Sequence, residues 1–285
     1  MRTRGLKHAL ALSCGLLATA ANAATQEKMA SRPFADADHV IYSPARGGAR
    51  LPLKSNVTNH GGGVLASAKV VLIFWGPNFS NAASADFAYA RTLQAFRNQF
   101  GWSQEYGVLQ QYGVNPSDLG SGTPDRFDTS TPPVNVTDAS VQAEVNRYLT
   151  TNAFNNSTVY EVVIPRTSYS SSGTSTSCGG PRLSYCTYHG HYSSVPGTVK
   201  YSIQPYPSCS GCKVSGWSDA QNEEHFVGHT TCNAVTNPVN GWWDNATGEE
   251  VCDKCTWSPT PFIGTGGYAY QYMWSNQNGG CIRTK

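Results

Sequence analysis

Glu224, His225 and His229 form the sharpest chemical cluster in the sequence. His225 and His229 are four residues apart, so on a helix they share a face, the spacing with which two imidazoles hold a zinc ion. Phe226 stands where a His-Glu-x-x-His hydrolase would carry its general base. The same polar residues could equally line a buried helix, each satisfied by a hydrogen bond. His189 and His191 alternate, so on a strand they point the same way. They could complete a site with His229, or His189 could support the turn at Gly190. Cys209-x-x-Cys212 and Cys252-x-x-Cys255 have the spacing of a zinc ribbon, and in an oxidising compartment that of disulfides.

Other chemistries lack their residues. No Gly-x-Ser-x-Gly elbow is present for a serine nucleophile. Gly61-Gly62-Gly63 is followed by neither the lysine nor the helix of a phosphate loop. Cys232 is the candidate for a thiol nucleophile beside His229, and a disulfide there would remove it. Trp242-Trp243, Trp257, Trp274 and the 15 tyrosines could offer flat faces to a sugar or pack in the core.

The elements that must hold these residues can be read from periodicity. Lys69 to Trp75 (KVVLIFW) is an apolar, β-branched and aromatic run, a buried strand. Val159 to Ile164 is a second, stopped by Pro165. Phe87, Ala90, Leu93, Phe96 and Phe100 predict an amphipathic helix over Ser84 to Phe100 with Ser84 as N-cap. Val141, Val145, Tyr148 and Leu149 repeat that pattern over Asp138 to Leu149. Ser168 to Ser177 reads as a loop, and Tyr185 to Tyr192 and Thr198 to Gln204 as strands joined by a Pro196-Gly197 turn. Asp219 to about Val235 is the helix carrying the Glu-His cluster, capped by Ser218 or Asp219. The tail after Cys255 reads as short strands and loops. This order predicts an α/β (or α+β) fold: one domain with a buried mixed sheet covered by two or three helices and a disulfide-rich C-terminal half.

The ends and the composition bound the setting. Arg2, Arg4 and Lys7, the apolar stretch Ala9–Ala21 and the Ala21-Asn22-Ala23 cleavage pattern read as a signal peptide over 1–23. The apolar stretch is too short to span a bilayer, which takes about 20 residues, and no later segment qualifies. The chain has 20 Lys+Arg against 18 Asp+Glu; without the three basic residues of the leader the balance is 17 against 18, or −1. A near-neutral surface has no electrostatic footprint for nucleic acid or anionic lipid. Without Cys14, eight of the 9 cysteines remain, all from Cys178 onward, an even set that favours disulfides in an exported chain. Residues 24–58 contain Pro33, Pro44, Pro52 and Gly47-Gly48 without sustained period and read as an irregular extension before a domain over 59–285.

Six segments in order resemble the EXORDIUM, or phosphate-induced protein, family of secreted proteins: Asn59-His60-Gly61-Gly62-Gly63-Val64-Leu65, the strand Val70–Gly76, Gln111-Tyr112-Gly113, Cys186-Thr187-Tyr188-His189-Gly190, Cys209-Ser210-Gly211-Cys212, and Ala234-Val235-Thr236-Asn237-Pro238 with Gly241-Trp242. The resemblance runs from about Asn59 to Cys281. It implies a secreted protein of the cell surface or wall, non-catalytic, with extracellular glycan as a partner. Ligand contacts would then fall on His60, His189, His191, Asn233, Trp242 and Trp243.

Microbial relatives in that family carry a zincin-like Ser-His-Glu-x-x-Glu-Ala-x-Thr-Asp-Pro helix followed by Glu-Ile-Gly-Asp-x-Cys. This chain keeps His229, Glu250 and Asp253 but has Thr230 at the base position, Asn233 at the second acid and Asn237 before Pro238. Threonine cannot take a proton from metal-bound water near neutral pH, and asparagine is a weaker zinc ligand than a carboxylate. The resemblance therefore implies loss of the site. The alternative is a zinc-dependent, peptidase-like hydrolase with an atypical metal set of His225, His229, Glu224 and Glu250. Cys232 and Cys252 both stand where the microbial pattern has other residues, which implies a Cys232–Cys252 disulfide. Of the 105 possible pairings, the expectation for the rest is Cys178–Cys186, Cys209–Cys212 and Cys255–Cys281.

Overall fold

The computed structural model describes residues 40–42, 55–120 and 124–285. The signal peptide read over 1–23 and most of the extension over 24–58 lie outside the described residues. In chain order the strands are β1 (Val40–Tyr42), β2 (Thr58–Asn59), β3 (Lys69–Trp75), β4 (Arg126–Asp128), β5 (Asn135–Thr137), β6 (Thr158–Val163), β7 (Tyr169–Ser172), β8 (Ser175–Thr176), β9 (Thr187–Ser194), β10 (Gly197–Gln204), β11 (Trp242–Trp243), β12 (Phe262–Ile263), β13 (Ala269–Tyr270), β14 (Met273–Ser275) and β15 (Gly280–Ile282). The α-helices are α1 (Ala85–Asn98), α2 (Asp138–Leu149) and α3 (Asp219–Thr236).

Alternation along β3 sends its buried side chains to both faces of the sheet. Val70, Leu72 and Phe74 join one core with Leu93 and Phe96 of α1 and Val227 and Val235 of α3. Val71, Ile73 and Trp75 join a second core with Val141, Val145 and Tyr148 of α2. A six-stranded sheet in the order β1-β9-β10-β6-β3-β4 is thus sandwiched between helices. β10, β6, β3 and β4 run parallel, β9 is antiparallel to β10, and β1 is antiparallel to β9. This is the mixed α/β architecture the sequence predicts.

Local chemistry sets the helix ends. Ser84 Oγ accepts from the Asp86 N–H, and Ser218 with Gln221 closes a capping box at the start of α3. α3 is unlike the other two helices: every residue from Asn222 to Thr236 is buried. A helix buried all round yet carrying Glu, His, Asn and Thr must find internal partners for those groups, and those partners make the site.

Three expectations need correction. Ser168–Ser177 is not a loop: β7 and β8 pair as a hairpin through Gly173, which has φ 55°, and β7 also pairs with β5. Backbone pairing and internal bonds such as Ser170 N to Ser177 Oγ (2.9 Å) compensate for the lack of apolar side chains. Within the segment read as extension, β1 forms the sheet edge, β2 pairs with β11, and Val57 is buried in the core. Two disulfides also differ. Cys232–Cys252 and Cys255–Cys281 form as expected, but the other four cysteines pair as Cys178–Cys209 and Cys186–Cys212. The 3-10 turn at Ser210–Cys212 lets the two cysteines of Cys-x-x-Cys reach different partners, one after β8 and one before β9.

Cys232–Cys252 ties α3 to the segment carrying Glu250 and Asp253 across a sequence separation of 20. Replacing both cysteines by serine should cost about 3 kcal/mol, the loop-closure value for that separation, read as a lower urea midpoint; an unchanged midpoint would mean the bridge contributes nothing.

Candidate functional site

Three segments converge beside α3: β9, the turn from Glu250 to Asp253, and the chain at Gln271. His189, on β9, brings Nε2 to 2.8 Å from Glu250 Oε2. The other oxygen of Glu250 accepts from Asn237 Nδ2, and the Glu250 N–H donates to Asp253 Oδ2 at 2.9 Å. Asp253 Oδ1 in turn lies 3.2 Å from His229 Nε2 and accepts from Asn233 Nδ2 at 2.8 Å. The orientation of the Asn233 amide follows from its Oδ1, which accepts the Cys252 N–H at 2.9 Å. The Asn233 Nδ2 also lies 3.1 Å from His229 Nε2. Gln271 donates to the Cys252 carbonyl (2.9 Å) and Tyr272 carbonyl (3.2 Å), so its Oε1 is free to accept from His229 Nδ1 at 3.0 Å. Two His–carboxylate pairs, His189–Glu250 and His229–Asp253, are thereby joined through the short turn from Glu250 to Asp253. Burial pushes the Asp253 carboxyl up, and the His229 hydrogen bond and charge more than reverse it, leaving it below the usual carboxylate range.

The metal set predicted from sequence does not converge. Glu224 accepts the Ala269 N–H at 2.7 Å, and burial raises its carboxyl to about 7. His225 sits among the rings of Tyr42, Trp217, Phe226 and Trp257, with ring centroids 4.1–5.9 Å from its own and neither ring nitrogen hydrogen-bonded. Among the described residues, the one group of three potential ligand atoms mutually within 4.8 Å is Cys178, Cys209 and Cys212, and all three sulfurs are in disulfides. The residues named for zinc therefore do not fit a tetrahedral site.

Thr230 decides what the helix can do. Its hydroxyl bonds to the Phe226 carbonyl at 3.1 Å and accepts from Gln204 Nε2 at 2.7 Å, so its side chain points into the sheet, not toward His229. Beside it Thr231 donates to Glu161 Oε1 at 2.7 Å.

The expected ligand residues scatter over three places. His189 and Asn233 belong to the buried network. His191, two residues along β9, is half-buried and opposite Lys200. His60 stacks on Trp243 with centroids 3.6 Å apart and an interplanar angle of 13°, and Trp242 donates Nε1–H to the Tyr112 carbonyl at 3.0 Å. Both tryptophans are thus engaged by the protein itself. Among the described residues Trp102, 86% exposed, is the aromatic face presented to solvent, and sequence reasoning passed over it. It also passed over Gln271, whose type carries no signal, and Tyr42, which lay in the segment read as irregular; Asn237 entered through the family resemblance, at the position before Pro238. Asp253 was named only as a residue the family resemblance keeps, without a role.

Comparison with family models, with curated proteins and with solved structures gives no match.

Burial takes the His225 imidazole down to about 3. Its folded value is below its ordinary 6.5, so the unfolded chain takes the proton first, and stability is lost as pH falls from 6.5 toward 3. His225→Phe, which keeps the ring contacts, should abolish that loss, stabilising by roughly 2–3 kcal/mol at pH 4.5 and little at pH 8. Melting curves at the two pH values check this; equal shifts at both would contradict it.

Proposed function

We propose that this is an exported, non-hydrolytic, EXORDIUM-like protein that acts at the cell exterior by binding, with wall or extracellular glycan as its ligand. The observation that supports it most is the direction of Thr230. The side chain at the base position is committed to Phe226 and Gln204, and the amide of Asn233 occupies the second acid's place beside His229. Both carboxylates of the network are engaged, Glu250 with His189 and Asn237, and Asp253 with Asn233 and the Glu250 N–H, which disfavours either as a base for water. Four disulfides suit an oxidising exterior. No helix among the described residues is long and apolar enough to cross a membrane. A surface poor in charge with Trp102 open to solvent suits a neutral sugar.

Two measurements test this reading. Elemental analysis of the folded protein should find no stoichiometric zinc; one zinc per chain, lost in His229→Ala, would contradict it. Co-sedimentation with insoluble wall polysaccharide should retain the native protein and lose about tenfold in Trp102→Ala, the effect expected from losing an aromatic anchor. Equal retention of the two would remove Trp102 from the ligand site.

A further inference from the structure

β1 is a poor structural strand and a good occupant. It has three residues, and its partner β9 is otherwise the edge of the sheet. Val40 lies opposite His189 and Tyr42 opposite Thr187, and the Cys186 N–H donates to the Tyr42 carbonyl at 2.7 Å. These bonds are between backbones and make no demand on the sequence of the added strand.

What fixes β1 is one side chain. Tyr42 is 1% exposed, and its ring meets those of His229 (4.3 Å between centroids), Phe226 (5.0 Å), Trp257 (5.4 Å) and His225 (5.8 Å), all edge-to-face. Trp257 holds its place with φ 57°, a conformation rare for a bulky residue. The cage serves the ring and not the hydroxyl. The Tyr42 hydroxyl is buried near the Trp257 backbone without completing a hydrogen bond. A buried hydroxyl without a partner weakens the fit of any side chain that carries it, so Tyr42 fills the cage less well than a phenylalanine would.

We propose that the β9 edge and the aromatic cage behind it form a binding site for an extended peptide bearing an aromatic side chain, a site that β1 of the same chain fills. The ligand pairs antiparallel with Thr187–His189 and inserts one ring between Phe226, Trp257 and the two imidazoles, over the His229–Asp253 network. β1 is then a built-in competitor that a better strand displaces. This does not rest on glycan binding, and either can fail without the other.

The test uses the full chain and a fluorescein-labelled peptide with the sequence of Asp38–Pro44, followed by anisotropy. In the native protein the tethered strand competes at roughly millimolar effective concentration, so binding should be weak. Tyr42→Ala loses the anchoring ring and should bind the peptide about tenfold tighter or more. A peptide with Phe at the Tyr42 position should bind tighter still, and one with Asp there should not bind. A folded Tyr42→Ala protein that binds no peptide, that binds all three alike, or that binds no better than the native chain overturns the proposal. Should Tyr42→Ala fail to fold, Tyr42→Phe decides: a higher melting temperature supports a cage built for a ring, and a lower one shows that the hydroxyl is required and overturns it.

Discussion

Glu161→Gln should raise the melting temperature at pH 8 and flatten its decline above pH 5. Glu161 is buried in the middle of the sheet, accepting from Thr231 Oγ1 at 2.7 Å and Gln204 Nε2 at 2.8 Å. Burial lifts its carboxyl from 4.5 to about 7, against the pull of those hydrogen bonds. A carboxyl whose folded value is raised contributes stability that is fully present below the ordinary value and lost as pH rises through the folded one. The window is therefore pH 4.5 to 7, and the loss at its upper end is about 3 kcal/mol. Glutamine keeps one acceptor for Gln204 and offers an N–H to Thr231, so the amide can be accommodated. Glu224, also raised to about 7, loses stability in the same window, and burial holds Glu223 well above its ordinary value too. Burial likewise raises Glu144 to about 7, and His225 works in the opposite direction below pH 6.5, as one group against four. Asp253, Asp219 and Asp244, whose carboxyls lie below their ordinary value, add losses on the acid side. The native protein should therefore be most stable near pH 5. A melting temperature that climbs steadily from pH 5 to 8 would contradict this, as would a Glu161→Gln variant with the native profile.

Arg97→Met should destabilise the protein by roughly 3–5 kcal/mol, the cost of stranding the other half of a buried ion pair. The guanidinium, 2% exposed, grips Asp125 with Nη1 at 2.8 Å and Nη2 at 2.6 Å and also donates to the Val70 carbonyl. Asp125 accepts in addition from the Leu72 N–H at 3.0 Å and Gln94 Nε2 at 2.6 Å. One pair thus fastens the last turn of α1 to β3 and to the chain entering β4. Lysine cannot reproduce the two-pronged contact, so Arg97→Lys should lose most of the same amount. Removing Asp125 as well should cost less than the sum of the single losses, because the second change no longer strands a charge. Urea midpoints with an unchanged slope would measure this; strictly additive losses would show that the pair is not coupled.

The architecture was legible where period and burial coincide. The run at Lys69–Trp75, the spacing from Phe87 to Phe96 and the cap at Ser218 each specify an element locally, and the structure places β3, α1 and α3 there. What was missed is non-local. β7 and β8 are made of Ser, Thr and Tyr, so no hydrophobic alternation marks them, and they are strands through pairing with each other and of β7 with β5. The Cys178–Cys209 and Cys186–Cys212 bridges depend on how the β9–β10 hairpin returns beside the Ser210–Cys212 turn, which spacing does not encode. Arg97 falls next to the apolar stripe of α1 and reads as a solvent residue until Asp125 is brought to it. The site was half legible for the same reason. His229 and His189 could be named from type and spacing, and Asn233 and Glu250 only through the family resemblance. That Glu224 would serve the Ala269 N–H, that His225 would face rings, and that Gln271 and Asn237 would hold the network follow only from tertiary contacts.

Turnover of peptide substrates by the purified protein, native and Tyr42→Ala, with and without a metal chelator, bears most directly on the chemistry of α3. Including Tyr42→Ala ensures that self-occupation of the β9 edge does not mask activity. With Thr230 turned into the sheet and Asn233 beside His229, neither protein should cleave any peptide above background, and the chelator should change nothing. Cleavage by either protein that the chelator abolishes would show that a metal-activated water forms there after all.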